Sequence, residues 1–134
     1  MKDKVFFDSN ILIYAYATDD LDKRRRIEEL FDLYDTIIIS TQTINEFVNV
    51  MVKKKKQSYQ RVRVAIGELF VNFLVEAIDQ VTVQKAIDIA IQHNYAYFDS
   101  LMIASALISD CSILYSEDMH NQHVIEKTLK IVNP

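Results

Sequence analysis

Short runs of apolar residues recur along this chain, and stretches with helical periodicity separate most of them. The runs lack the polar–apolar alternation of a half-exposed strand. Continuous apolar strands are typical of a parallel sheet covered by helices on both faces, because both faces of each strand are then buried. The pattern predicts strands at 5–7, 36–39, 112–115 and 129–132, with a further brief strand at 75–78.

The segments between these strands predict six helices. Several begin at residues whose side chains cap helices well, such as Ser40 or Thr41 before the third and Ser58 before the fourth. A stripe that includes Leu69 and Phe70 is expected to turn the fourth helix towards the core. The predicted helices are 10–17, 22–34, 41–54, 58–74, 82–94 and 99–109.

Few residues in this chain interrupt regular structure. The 134 residues include one glycine and one proline, which predicts short connections and a single domain over 1–134. The longest apolar run, 11–17, is too short to span a bilayer, and no signal peptide precedes it, so we expect a soluble cytoplasmic protein without a membrane segment. Cys111 has no partner for an internal disulfide, and the three histidines lack the spacing of a zinc site.

Four acids fall at comparable places in the predicted elements. Asp8 ends the first strand, Glu46 lies in the first turns of the helix after the second strand, Asp99 opens a helix, and Asp118 follows the strand at 112–115 with Glu117 beside it. In a right-handed parallel arrangement, strand ends and the helix starts that follow them share one edge of the sheet. The four side chains are therefore expected to converge on one cleft.

Each of these acids also has an ordinary structural explanation. Asp8 and Asp99 suit helix caps, Glu46 suits a surface position, and Asp118 suits a turn. Their joint placement favours chemistry, because carboxylates that converge in a dry cleft must protonate or bind a cation. Oxygen ligands without His or Cys favour Mg²⁺ or Mn²⁺, which activate water and stabilise phosphoryl displacement.

The charge distribution adds a candidate surface for a polyanion. The formal net charge is −4, yet the segment 53–63 contains six bases and no acid, and a second basic group occupies 23–26. Such a run is explained either as a solvated helix face or as a contact for a phosphate backbone. The six bases are Lys53, Lys54, Lys55, Lys56, Arg61 and Arg63.

Four segments together resemble the PIN-domain ribonucleases, and among them the VapC-type toxins of toxin–antitoxin pairs. They occur in the order typical of that family and span most of the chain. The segments are Val5-Phe6-Phe7-Asp8-Ser9-Asn10-Ile11-Leu12-Ile13-Tyr14, Ser40-Thr41-Gln42-Thr43-Ile44-Asn45-Glu46-Phe47, Tyr97-Phe98-Asp99-Ser100-Leu101-Met102-Ile103-Ala104-Ser105-Ala106, and Leu114-Tyr115-Ser116-Glu117-Asp118-Met119.

The resemblance implies a three-layer α/β/α sandwich around a short parallel sheet, and metal-dependent endoribonuclease activity with Mg²⁺ or Mn²⁺. It further implies an RNA substrate, a cognate antitoxin and a homodimer. Carried over by position, Asp8, Glu46, Asp99 and Asp118 form the catalytic and metal-binding set. Asn10 and Ser116 are supporting polar residues, and Glu117 is a candidate to share the role of Asp118.

One position departs from the family pattern. A glycine usually follows the fourth acid after a few residues, whereas this chain has His120-Asn121-Gln122-His123. Because asparagine tolerates a left-handed backbone better than most residues, Asn121 is expected to preserve the turn.

Other functions are compatible with parts of this pattern. A PIN-like module that binds RNA or protein without catalysis would keep the fold, although intact acids at all four positions argue against it. An aspartyl-phosphate phosphatase would use Asp8 as the phosphate acceptor, with Asn10 in place of its second acid and Lys130 as the late lysine. For the toxin, an antitoxin segment between helices 41–54 and 58–74 is expected from the family alone.

Overall fold

The chain forms six helices and six strands in a computed structural model that describes residues 3–134. The predicted α/β class is confirmed. In chain order the elements are β1 (Val5–Phe7), α1 (Ser9–Ala15), α2 (Leu21–Leu33), β2 (Ile37–Ser40), α3 (Thr41–Lys53), α4 (Tyr59–Asn72), β3 (Leu74–Glu76), α5 (Gln80–His93), α6 (Tyr97–Ile108), β4 (Ile113–Tyr115), β5 (Val124–Ile125) and β6 (Leu129–Val132).

The strands form one sheet in the order β3-β2-β1-β4-β6-β5. All neighbours are parallel except β5 and β6, which pair antiparallel. β1 lies in the middle between β2 and β4, so the ends of these three strands meet at one edge. The sequence pattern missed β5 because two residues are too few to produce a recognisable apolar run.

Helices cover the sheet on both faces, as the apolar runs predicted. One core contains Phe7 and Ile39 from the strands and Phe47 from α3, packed with residues of α1, α2 and α4. The other contains Phe6 and Leu114, packed with residues of α5 and α6 such as Ile89 and Met102. Successive strand residues therefore face opposite cores. Because both faces of each strand are buried, the strand sequences are continuously apolar.

Local differences from the predicted elements have identifiable causes. α4 ends at Asn72, because Leu74 pairs with Ile38 as the first residue of β3. Phe70, predicted in the core stripe, is 58% exposed, and that prediction is wrong. α6 begins at Tyr97, so Asp99 lies within its first turn and does not open it.

Side-chain caps determine several helix starts. Ser40 and Asp79 form capping boxes with the residues three positions later, and Ser58 accepts a hydrogen bond from the amide of Arg61. Asn94 ends α5 with a left-handed backbone at φ 58°. Among residues 3–134, each helix is either too short or too polar to span a bilayer.

Candidate active site

Asp8 is the most deeply buried of the four acids. It directly follows β1, and its amide donates to the carbonyl of Tyr115 at 3.0 Å, which ties it to the end of β4. Its carboxylate is 3% exposed and accepts hydrogen bonds from the Ser116 hydroxyl and the Ser9 amide, both at 2.7 Å. Asp8 therefore caps α1 and also presents a fixed carboxylate at the edge of the sheet.

The pKa of Asp8 reflects an unfavourable place for a charge. Burial, together with a smaller contribution from repulsion by Glu46 and Asp99, raises the pKa of this carboxyl from 3.8 to about 6. The hydrogen bonds from Ser116 and Ser9 lower it and so only partly offset burial. Asp8 is thus held ionised at neutral pH at an energetic cost.

Asp99 lies within electrostatic reach of both Glu46 and Asp118. Burial raises the pKa of Asp99, and repulsion from Asp118 and Glu46 raises it further. The Glu46 carboxylate accepts a hydrogen bond from the Ser9 hydroxyl at 3.0 Å and another from the Gln42 amide at 3.0 Å. The structure therefore brings the four predicted acids to the same edge of the sheet.

Asn10 and Ser116 hold the fourth acid in place. The side-chain Nδ2 of Asn10 donates to Asp118 Oδ2 at 3.0 Å, and the side-chain Oδ1 of Asn10 accepts from the backbone amide of Glu117 at 3.4 Å. The Ser116 hydroxyl accepts from the Asp118 amide at 3.2 Å while donating to Asp8. Both predicted supporting residues thus link the segment that follows β1 to the segment that follows β4.

Glu117 belongs to a separate polar cluster. Its carboxylate accepts from the Tyr14 hydroxyl at 2.9 Å and pairs with Lys23 Nζ at 3.1 Å. The Lys23 ammonium also donates to the Tyr14 hydroxyl at 2.9 Å and lies 4.2 Å from the centre of the Tyr14 ring. Its hydrogen bonds to Tyr14 and Glu117 raise the pKa of Lys23. Lys23 from the second basic group therefore neutralises the acid beside Asp118, an arrangement that sequence spacing did not reveal.

The donor set suits a hard divalent cation in chemistry, since its members are carboxylates whose mutual repulsion a cation would relieve. In geometry the carboxylates are not gathered around a common point. No three Asp, Glu, His or Cys side chains in residues 3–134 are arranged as a metal site. Neighbouring hydrogen-bond donors hold Asp8, Glu46 and Asp118 instead.

The basic segment contributes unequally to the surroundings of the acids. Lys54 and Lys55 line a cavity of about 360 Å³ together with Asn10, Glu46 and Asp118. A second cavity of about 390 Å³ between α1, α3 and α4 is lined by Lys55 and Arg61, by the acids Asp19 and Glu68, and by apolar side chains. Lys53, Lys56 and Arg63 are exposed and line neither of these cavities.

The turn after Asp118 survives without glycine, but through a different residue from the one predicted. Gln122 adopts the left-handed backbone, at φ 70°, and Asn121 does not. The Asn121 side chain instead accepts a hydrogen bond from the Asn133 amide at 2.8 Å. The Gln122 amide donates to the carbonyl of Ile131 at 2.7 Å, which anchors the turn to β6.

The fold and sequence match known proteins. A family model described as the PIN domain matches residues 5–126. A toxin–antitoxin complex from Klebsiella pneumoniae contains a chain that is 23% identical, with a TM-score of 0.71 and 96% of each chain covered. VapC20 of Mycobacterium tuberculosis, a toxin that cleaves the sarcin-ricin loop, is 14% identical with a TM-score of 0.70, and the match covers 85% of this chain and 89% of that one.

A third solved structure, DNA-bound VapBC from Salmonella typhimurium, is 14% identical with a TM-score of 0.69 and 96% of each chain covered. At these identities the solved structures establish a shared fold. No significant match is found among curated proteins.

Proposed function

Because the chain belongs to the PIN domain family, we propose that it is a Mg²⁺- or Mn²⁺-dependent endoribonuclease and the toxin of a type II toxin–antitoxin pair. The observation that carries this proposal is the placement of the four acids at one edge of the sheet, where Ser9 joins Asp8 to Glu46 by hydrogen bonds, Ser116 joins Asp8 to the backbone of Asp118, and Asp99 lies close enough to be repelled by Glu46 and Asp118. A catalytically silent module has no need for this arrangement, since burying a carboxylate beside other carboxylates costs stability.

The acids have distinct roles in the proposed reaction. Asp8, Asp99 and Asp118 would hold the divalent ion, and Glu46 would position a second ion or the attacking water. When bound, such an ion lowers the pKa of a water and stabilises the charge that develops on the phosphate. Ser116 and Asn10 fix the carboxylates of Asp8 and Asp118, so less reorganisation is needed when RNA binds.

The RNA backbone is proposed to cross the lysine and arginine side chains that lie beside the four acids. Lys54 and Lys55 share a cavity with Glu46 and Asp118, so a phosphate held by these lysines would lie near the acids. This local positive surface compensates for the net charge of −4, which alone would repel RNA. Lys53, Lys56, Arg61 and Arg63 extend the same surface.

The antitoxin is proposed to bind the cavity between α1, α3 and α4. Its lining combines the apolar side chains Ile13, Met51 and Val62 with two bases, Lys55 and Arg61, and two acids, Asp19 and Glu68, which suits an apolar segment flanked by polar side chains of either charge. Ile13 and Lys55 also line the cavity of about 360 Å³ that contains Glu46 and Asp118. A segment bound between α1, α3 and α4 would therefore lie next to these two acids. A homodimer and a cytoplasmic location are proposed from the family resemblance.

The activity is tested with Asp8→Asn, which keeps the size of the side chain and removes its charge. The purified chain is incubated with RNA in Mg²⁺, in Mn²⁺ and in chelator. We expect the parent to cleave only with metal. The variant should lose about 100-fold or more in rate, since a lost ligand removes several kcal/mol of transition-state stabilisation.

Asp110→Asn is a matched control, because Asp110 is exposed and precedes β4, away from the carboxyl ends of the strands where the four acids lie. It should cleave like the parent. Equal cleavage by Asp8→Asn would refute the assignment. A folded parent that binds RNA without cleaving it in either metal would indicate a silent binding module.

A further inference from the structure

Four rings pack together beside the acidic site, and we call them the His–Tyr cluster. His93 comes from the last residue of α5, Tyr95 from the α5–α6 connection, and His120 and His123 from the turn after Asp118. The ring centres of Tyr95 and His120 lie 5.3 Å apart, as do those of His93 and His123. The cluster was not predictable from the sequence, because its members come from segments about 25 residues apart.

The inner rings are fixed by hydrogen bonds and by stacking. The Tyr95 hydroxyl and His123 Nδ1 lie 2.7 Å apart, and the two rings stack at an interplanar angle of 26°. The backbone closes the turn beneath them, since the His123 amide donates to the carbonyl of His120 at 3.2 Å. A ligand that contacts this surface therefore meets rings that are already oriented.

The outer rings retain binding capacity. His120 is exposed, and within residues 3–134 the ring nitrogens of His93 and His120 form no hydrogen bond or ion pair. Burial lowers the pKa of His123, and repulsion from His93 and His120 lowers it further. The cluster thus offers an aromatic surface with free polar atoms.

The cluster and the basic segment flank the acids from opposite layers. Tyr95 packs against the core that includes α5 and α6, whereas Lys54 and Lys55 follow α3 in the other layer. Tyr95 also lies close enough to Asp99 for that charge to contribute to the rise in the pKa of the phenol, behind the larger effect of burial. A strand of RNA that crosses from the lysines past the acids would next meet these rings.

We propose that the His–Tyr cluster is a nucleobase subsite, in which the exposed ring of His120, backed by Tyr95 and His123, stacks on an unpaired base of the bound RNA. Proteins recognise single-stranded RNA by stacking its unpaired bases on aromatic side chains, including histidine. The free ring nitrogens add hydrogen-bonding capacity towards the edge of a base. This inference rests on the proposed function, because it assumes that RNA binds across the acids.

The subsite is tested by binding to short single-stranded RNAs that contain one 2-aminopurine, whose fluorescence falls when the base stacks. The chain carries Asp8→Asn throughout, so that cleavage does not interfere. Scanning the label along the RNA should find one position that is quenched on binding. His120→Ala should abolish that quenching and weaken affinity about 5-fold or more.

Two further variants keep the interpretation specific. His120→Phe retains a ring and should restore quenching and affinity, whereas Phe70→Ala removes an exposed ring from α4 and should change neither. An RNA that lacks the base at the quenched position should bind His120→Ala and the unsubstituted background equally well. Thermal unfolding of each variant verifies that the exposed position tolerates the change.

The outcomes separate this inference from the proposed function. Metal-dependent cleavage by the parent, together with equal affinity and quenching for His120→Ala and its background, would overturn the subsite alone. Absence of both RNA binding and cleavage by the parent would overturn the subsite and the nuclease together. If His120→Ala loses affinity and His120→Phe does not regain it, stacking would also be overturned, because an aromatic ring at this position would then not be what binds the base.

Discussion

Replacing the central acid should stabilise the folded chain at neutral pH even as it removes activity. Asp8 is almost fully buried, and its pKa is raised from 3.8 to about 6. Each pKa unit corresponds to about 1.4 kcal/mol, so ionised Asp8 lowers the free energy of unfolding by about 3 kcal/mol at pH 7. Asp8→Asn cannot ionise and should escape that loss.

The gain is partly offset by hydrogen bonding. Asp8 accepts from both Ser116 and Ser9 through two different oxygens, whereas an asparagine has one acceptor oxygen. Losing one such bond costs about 1 kcal/mol, which leaves a net stabilisation of about 1–2 kcal/mol at pH 7.

The pH dependence isolates the charge. A raised pKa means that the native state binds the proton more tightly than the unfolded state. The contribution of Asp8 is therefore fully present below pH 3.8 and is lost as the pH rises through about 6. Below pH 4 the variant should be slightly less stable than the parent, and above pH 6 it should be more stable.

Urea unfolding followed by circular dichroism, in chelator from pH 3 to pH 7.5, measures this difference. A stability difference that does not change with pH would refute the reasoning, because it would show that the buried carboxyl titrates normally. Repeating the measurement at pH 7 with Mg²⁺ should raise the stability of the parent more than that of the variant, since an ion that binds only the native state stabilises it by mass action.

Three further changes test other parts of the structure. Gly67→Ala should stabilise α4 by about 0.5–1 kcal/mol in thermal unfolding, because a Cβ there meets nothing within 4 Å and alanine favours helix; a destabilised variant would contradict this. Ser116→Ala should raise the pKa of Asp8 above about 6, shifting the pH profile of cleavage upwards, and an unchanged profile would show that this hydrogen bond does not tune the acid. Lys55→Ala should weaken RNA binding and reduce by about 1 the slope of log affinity against log salt concentration. Lys127→Ala, in the turn before β6, should change neither. Equal slopes for Lys55→Ala and the parent would exclude Lys55 from the RNA contact.

Much of the architecture was predictable because local sequence determines it. Apolar runs without alternation predicted strands buried on both faces, and capping residues such as Ser40 and Ser58 begin the predicted helices. Phe70 shows where periodicity misleads, since it lies one position after the buried Leu69 and turns towards solvent. The pattern gives the approximate stripe, whereas packing determines its edge.

The acids were predictable for a topological reason. Parallel strands place their ends at one edge, so residues that follow β1 and β4, and residues that begin the helices near them, approach one another whatever the details of packing. The sequence did not predict the pairing of Glu117 with Lys23, because it depends on how α2 crosses the turn after β4.

For this protein, the order of apolar runs, caps and acids in the sequence determined the parallel sheet and the edge of it at which the four acids lie. Only the tertiary structure decided which of them are buried, which donors hold them, and which rings stand beside them. The reason is physical: periodicity and capping act over a few residues, whereas desolvation of Asp8 and stacking of Tyr95 on His123 arise between segments that meet only when the chain is packed.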